Sequence, residues 1–372
     1  MAEFRTPNNI IYGKDTLAQL KTLSGQRLLL IYDTPLLEEP LRKALQPSGI
    51  TVRSFRADPS CSDLTRITEG TKAIMEFKPE WILAAGGHTA MDLAKLIRIF
   101  YQRPDLTVRD VIEGNASDVV PCKTKLITLP LYNTNGSEAT CTAFFQDSAT
   151  MYQIEIRNPG LIPDMTIIDP NLLALSTVEQ QAQCVLSTFV FAIEAAADIH
   201  AVSFVRPYAL EAITILSKSV FAHTCVPMDN TPLLYAQCLS GIAYTNSVPG
   251  LCSILCRTSM TFGVSSFGIL AAAILPAVIR LDKNPDRYTA AANAMGLSDA
   301  GTLAEAVAEY ADMLGFSLTL REMGIGKNAF LKKLSKVSHS VLSMMPANTL
   351  DEKEPQKYIE KILRMAYSTR EL

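Results

Sequence analysis

Four side chains on one stretch are placed to do chemistry together. In QCVLSTFVFAIEAAADIHAV, residues 183–202, Ser187, Phe191, Glu194 and Asp198 fall at i, i+4, i+7 and i+11, so a helix puts them on one face. The stretch has no proline or glycine and few charges, which reads as a helix buried on most sides. Two carboxylates on a buried face need partners, because an unpaired buried charge is costly. Caps or interhelix ion pairs would supply them, and so would a site lined by this face. His200 completes no ligand set with them, since on an ideal helix it points away from that face. The other histidines, at 88, 223 and 339, give no HExxH or HxxxH spacing.

A second candidate is AAGGHTAMDLAK, residues 84–95, behind the apolar run WILAA. A glycine pair between a strand and a helix lets backbone N–H groups approach a phosphate at the helix N-terminus. It also suits a plain strand-to-helix turn, and it is neither GxGxxG nor a P-loop. Asp33 follows the run RLLLIY, where an acidic residue can accept from a ribose hydroxyl. Cys252 and Cys256 stand one helical turn apart in an apolar segment and read as small core residues.

The elements that must position these groups come in two styles. Short apolar runs at 27–33, 81–85, 125–130 and 165–169 suit buried parallel strands, with helical patterns at 36–46, 63–77 and 91–101 between them. This succession predicts a doubly wound α/β domain over 1–172. Alanine- and leucine-rich segments at 178–203, 207–222, 231–246, 268–281, 285–295, 301–315 and 351–367 predict an all-helical domain over 173–372. With 372 residues, two domains are the natural division. A balance of 34 basic against 37 acidic residues carries no footprint for nucleic acid or an anionic membrane. Between residues 230 and 279 the only charge is Arg257, but Asn246, Pro249, Gly250 and a serine–threonine cluster break the run, so core helices are expected there and no membrane span. The eight scattered cysteines and the N-terminus without an apolar run point to a reduced, cytoplasmic protein.

Seven motifs in order resemble the iron-dependent alcohol dehydrogenase family. They are FRTPNNIIYG (4–13), GGHTAMDLAK (86–95), LPLYNTNGSE (129–138), NPGLIPDMTIIDP (158–170), FAIEA (191–195), GLCSILCRTSMTFGVSSFG (250–268) and LGFSLTLREMGIG (314–326). The resemblance implies a dehydroquinate synthase-like fold: an N-terminal dinucleotide-binding α/β domain, a helical C-terminal domain, and a ligand cleft between them. It implies NAD(P)-linked alcohol–aldehyde interconversion, and a homodimer. It also implies a divalent metal held by one aspartate and three histidines, which would hold the substrate oxygen as an alkoxide. Those ligand positions fall on Ser187, Phe191, Ser253 and Phe267, and a further relay histidine falls on Arg257. All five are replaced. A phenyl ring has no lone pair and serine is a poor ligand, so no metal is expected.

By the same resemblance a dinucleotide would lie against Asp33, Gly86, Gly87, His88, Thr89, Asp92, Leu131, Tyr132 and Ser137. His88 stands for a third glycine, and Leu131 and Tyr132 stand for paired threonines, so NAD(P) is expected to bind weakly or not at all. Three functions stay open: a metal-free dehydrogenase using protein donors, a pseudoenzyme acting as a binding or regulatory partner, or another reaction in a remodelled cleft. If Phe191 and Phe267 fill the metal's space, their ring centroids should lie about 4.5–7 Å apart. Ser187 and Ser253 should then bond carbonyls of their own helices.

Overall fold

The computed structural model describes residues 3–58, 63–112, 123–132, 134–221, 231–346, 350 and 352–368. It divides into two units: Arg5–Ser148 with Ile154–Gln181, and Ala182–Leu372 with Met1–Phe4 and Ala149–Gln153.

The first unit is built on a six-stranded parallel sheet. Its strands are β1 (Asn9–Tyr12), β2 (Arg27–Tyr32), β3 (Thr51–Arg56), β4 (Trp81–Gly86), β5 (Lys125–Pro130) and β8 (Met165–Ile168), in the order β1-β8-β5-β4-β2-β3. A two-stranded sheet pairs β6 (Thr142–Gln146) with β7 (Gln153–Arg157). The helices α1 (Glu38–Leu45), α2 (Asp63–Phe77), α3 (His88–Gln102) and α4 (Val108–Ile112) complete it. The apolar runs of β2 and β4 are continuous because both faces are covered. Leu28, Leu30, Leu83 and Ala85 enter one core, and Leu29, Ile31, Ile82 and Ala84 enter the other.

The strand order decides where this unit can hold a ligand. From β2 the chain steps outward to β3, then returns to β4 on β2's other side. A crevice forms outside the carboxyl ends of two strands at such a reversal. Asp33 ends β2 and Gly86–Gly87 ends β4, so the topology brings them together.

The second unit is helical: α5 (Val178–Ala197), α6 (Val205–Phe221), α7 (Thr231–Thr245), α8 (Leu251–Ser259), α9 (Phe267–Leu281), α10 (Thr289–Ala294), α11 (Ala300–Met313), α12 (Lys327–Met344) and α13 (Pro355–Tyr367). Helix α9 is apolar on nearly every side and packs against α8, α11 and α13. None of the described helices is long and apolar enough to cross a membrane.

Strands β3, β6 and β7 and helix α4 were not among the elements read from the sequence, and three further details differ from that reading. The step between units comes at Gln181 rather than 172. The first turn of α5 stays with the sheet unit, where Gln181 donates to Ser176 Oγ at 2.7 Å. Helix α5 stops at Ala197 instead of continuing to 202. Asp198 accepts the His200 N–H at 2.8 Å, an Asx-type turn that competes with helix. Helix α12 has no counterpart among the expected segments, because its lysines and serines mask the stripe of Phe330, Leu334, Val337 and Val341 that it buries.

Candidate functional site

The face of α5 is held against two other helices by close backbone approach. A Cβ on Gly268 would lie 2.4 Å from the Gln183 carbonyl oxygen, so only glycine lets the start of α9 sit on α5. Ser266 caps α9 by accepting from the Ile269 N–H at 3.4 Å and donates to Gln183 Oε1 at 2.8 Å. These contacts set Phe267 beside Phe191.

The two rings stack with centroids 5.2 Å apart and planes at 29°. Tyr244 of α7 closes on Phe191 at 4.4 Å. Ser187 Oγ donates to the Gln183 carbonyl at 3.0 Å and Ser253 Oγ to the Gly250 carbonyl at 3.0 Å. All five side chains are buried. Arg257 is buried too, and its Nη1 donates to the Tyr244 hydroxyl at 3.1 Å. Sequence reading reached the two phenylalanines and missed Tyr244, which sits in an apolar helix with no charge or spacing to mark it.

Glu194 and Asp198 are both held by backbone N–H groups, and Glu194 acts as a helix cap. Glu194 Oε1 accepts the Ser253 N–H at 3.0 Å, inside the first turn of α8. Gly250 is required there, since a Cβ would fall 2.3 Å from the Glu194 carboxyl. Asp198 Oδ2 accepts the Val248 N–H at 2.8 Å. Glu194, Asp198 and exposed His200 all line one cavity of about 300 Å³. Even so, among the described residues no three His, Cys, Asp or Glu side chains gather to hold an ion. Cys252 and Cys256 are buried with sulfurs 4.0 Å apart.

Burial pushes the Glu194 carboxyl up to about 7, against the Ser253 hydrogen bonds and the nearby Arg257 charge. Its Oε2 is buried with no partner, as suits a protonated acid. A raised folded-state pKa favours the neutral form, so this group's contribution is full below about pH 4.5. It is lost as pH rises through about 7. Glu194→Gln keeps the cap and removes the charge. Measured by urea melts, its stability relative to the parent should rise by on the order of 1–3 kcal/mol between pH 5 and pH 8. A difference that does not change with pH would contradict this.

In the sheet unit, Asp33 Oδ2 accepts the Gly87 N–H at 2.9 Å, and Gly87 caps α3. His88 and Thr89 form the first turn of that helix, with His88 close enough to act on both Asp33 and Asp92. Leu131 is fully buried, and Tyr132 bonds to Asp33. Asp92 accepts from Ser137 Oγ at 2.6 Å. Lys95, fully buried, donates to Ser137 Oγ at 3.0 Å, the Thr140 carbonyl at 2.9 Å, Thr140 Oγ1 at 3.0 Å and the Thr142 carbonyl at 2.8 Å. Burial pulls the lysine down to about 8 and raises Asp92 to about 6, each opposed by the other's charge. This lysine thus ties the loop after β5 to α3. Charged residues spaced three apart in a helix that is otherwise largely apolar, Asp92, Lys95 and Arg98, were the available sign of it.

Residues 7–170 match the model of the iron-containing alcohol dehydrogenase family, and residues 181–367 match the model of that family's C-terminal region. The chain belongs to the iron-containing alcohol dehydrogenase family. It is similar to an NADPH-dependent butanol dehydrogenase of Clostridium saccharobutylicum, 27% identical over 92% of this chain and 92% of the relative. An alcohol dehydrogenase of Thermococcus barophilus is 25% identical over 91% of this chain and 92% of its own length. Among solved structures, an iron-containing alcohol dehydrogenase from Thermococcus thioreducens superposes with a TM-score of 0.85 at 24% identity, covering 97% of this chain and 100% of that one. That likeness speaks to the fold. The chain is thus an alcohol dehydrogenase-like oxidoreductase by family.

The family's iron meets a poor fit at the positions the resemblance assigns to it. Two of the four offer phenyl rings, which cannot donate. The other two offer hydroxyls already committed to their own helices. The space among them is packed with aromatic carbon rather than open to an ion and its water.

Proposed function

We propose that this chain keeps the fold of the iron-containing alcohol dehydrogenases but has lost their metal-dependent alcohol–aldehyde interconversion. It serves instead as a binding or regulatory partner. The stack of Phe191, Phe267 and Tyr244 carries this reading: it puts dry core where the chemistry needs a Lewis acid and a wet pocket. In this reading the protein is cytoplasmic, in keeping with its scattered cysteines, and dimeric, as the family resemblance implies.

A metal-free hydride transfer is the runner-up. Arg257 and Tyr244 form a guanidinium–phenol pair of the kind that can hold a developing alkoxide. Burial opposes this, because Tyr244 is 1% exposed and Arg257 4%, and no substrate oxygen reaches them in this arrangement.

The test is an assay of butanal reduction and butanol oxidation with NAD(H) and NADP(H), with and without added ferrous or zinc ion. No metal-stimulated turnover is expected. A metal-dependent rate that disappears with a chelator would overturn the proposal.

A further inference from the structure

The glycines at the end of β4 face a group of the chain itself. Gly86 is left-handed at φ 130°, and a Cβ there would fall 2.1 Å from Asp33 Oδ1. The space that glycine clears in front of the backbone is therefore filled by the Asp33 carboxyl, which is only 8% exposed. The other oxygen of that carboxyl takes the Gly87 N–H at 2.9 Å. Gly87 is the cap of a 15-residue helix, and its N–H is among those a phosphate oxygen would seek. Tyr132 adds a second closure. Its phenol hydrogen-bonds to Asp33, and the Gly87 N–H also reaches its oxygen. Burial and the adjoining carboxylate push that phenol well above its ordinary value. The tyrosine is held in place by its neighbour, since the Leu131 N–H donates to the Gly86 carbonyl at 3.0 Å.

We infer that Asp33 and Tyr132 hold the nucleotide cradle shut, with the chain's own carboxylate standing where a dinucleotide phosphate would bind and Tyr132 deciding whether one can enter. The inference rests on the family's assignment of this cradle and is independent of the metal position. An incoming pyrophosphate must displace one anion from Gly87 and break the Tyr132 contact. Its affinity is reduced by the fraction of chains in which that has happened.

Titration calorimetry with NAD and with ADP tests this on the full chain. Tyr132→Thr restores a small hydroxyl side chain, and Tyr132→Phe removes only the phenol's hydrogen bonds. The parent should show no binding at millimolar NAD. Tyr132→Thr should bind NAD at least tenfold more tightly than the parent, with Tyr132→Phe between the two. Asp33→Asn, which leaves Gly87 without a full anion, should improve ADP binding at least threefold.

Parent protein that binds NAD as tightly as Tyr132→Thr would overturn the inference. So would Tyr132→Thr with an unchanged melting temperature and no gain in NAD affinity. Loss of ADP binding in Asp33→Asn, relative to the parent, would make Asp33 a ligand for the nucleotide instead of its competitor. If Tyr132→Thr does not fold, the comparison of parent with Tyr132→Phe decides the matter in the same way. The readout is binding, so a positive result with no turnover leaves the metal reading intact while bearing on the cradle alone.

Discussion

Phe191→Ala should cost about 3–5 kcal/mol of folding free energy, and Phe267→Ala a similar amount. Phe191 is fully buried and touches two aromatic rings, at 4.4 and 5.2 Å. Truncation removes both contacts and leaves a cavity that the α5–α9 junction cannot collapse, because Gly268 already sits on Gln183. The two substitutions share one cavity. The double variant should therefore cost less than the sum of the singles. Denaturant melts of the parent, both singles and the double give all the terms. If the rings lined an open ligand pocket instead, each loss would fall well under 3 kcal/mol and the two would add.

Lys95→Ala should be as damaging, on the order of 3–5 kcal/mol, for an electrostatic reason. It strands the carbonyls of Thr140 and Thr142 and deprives Asp92 of its nearby cation, all in buried surroundings. Asp92 sits near 6 already, so at neutral pH it would take up a proton more readily once the lysine is gone. Lys95→Met combined with Asp92→Asn removes both charges and keeps the volume. That pair should cost less than the two single changes added together. Urea melts at pH 7 measure the parent, Lys95→Ala, the two single changes Lys95→Met and Asp92→Asn, and their double. A loss below about 1 kcal/mol for Lys95→Ala would show that the loop after β5 does not depend on this amine.

The inner strands of the sheet were legible because they are buried on both faces, whereas the edge strand β3, with no buried residue, gave no apolar run to read. Runs such as RLLLIY and WILAA leave no other economical reading. The helical half was legible in kind but less so in its bounds. Asp198 ends α5 with a side-chain bond two residues ahead, a local competition that helix periodicity does not register. Helix α12 escaped notice because its exposed residues, four lysines among them, outnumber the five it buries.

At the site, motif order located Phe191 and Phe267, and aromatic residues at converging positions were enough to anticipate a stack. Tyr244 and the Arg257–Tyr244 bond join helices α7 and α8, and nothing in either segment announces the other. The same holds for Asp33 and Gly87. They lie 54 positions apart, and only the reversal of strand order between β2 and β4 brings them to 2.9 Å. Asp33 read from sequence as a ribose acceptor, and the fold gives it a partner within the chain.

Metal stoichiometry is the most direct test of the loss of the family's chemistry. Tag-free protein would be incubated with ferrous or zinc ion, desalted, and analysed for bound metal. The packed rings of Phe191 and Phe267 and the committed hydroxyls of Ser187 and Ser253 predict far less than one ion per chain. One tightly held ion per chain, lost when Ser187 and Ser253 are both changed to alanine, would contradict the account.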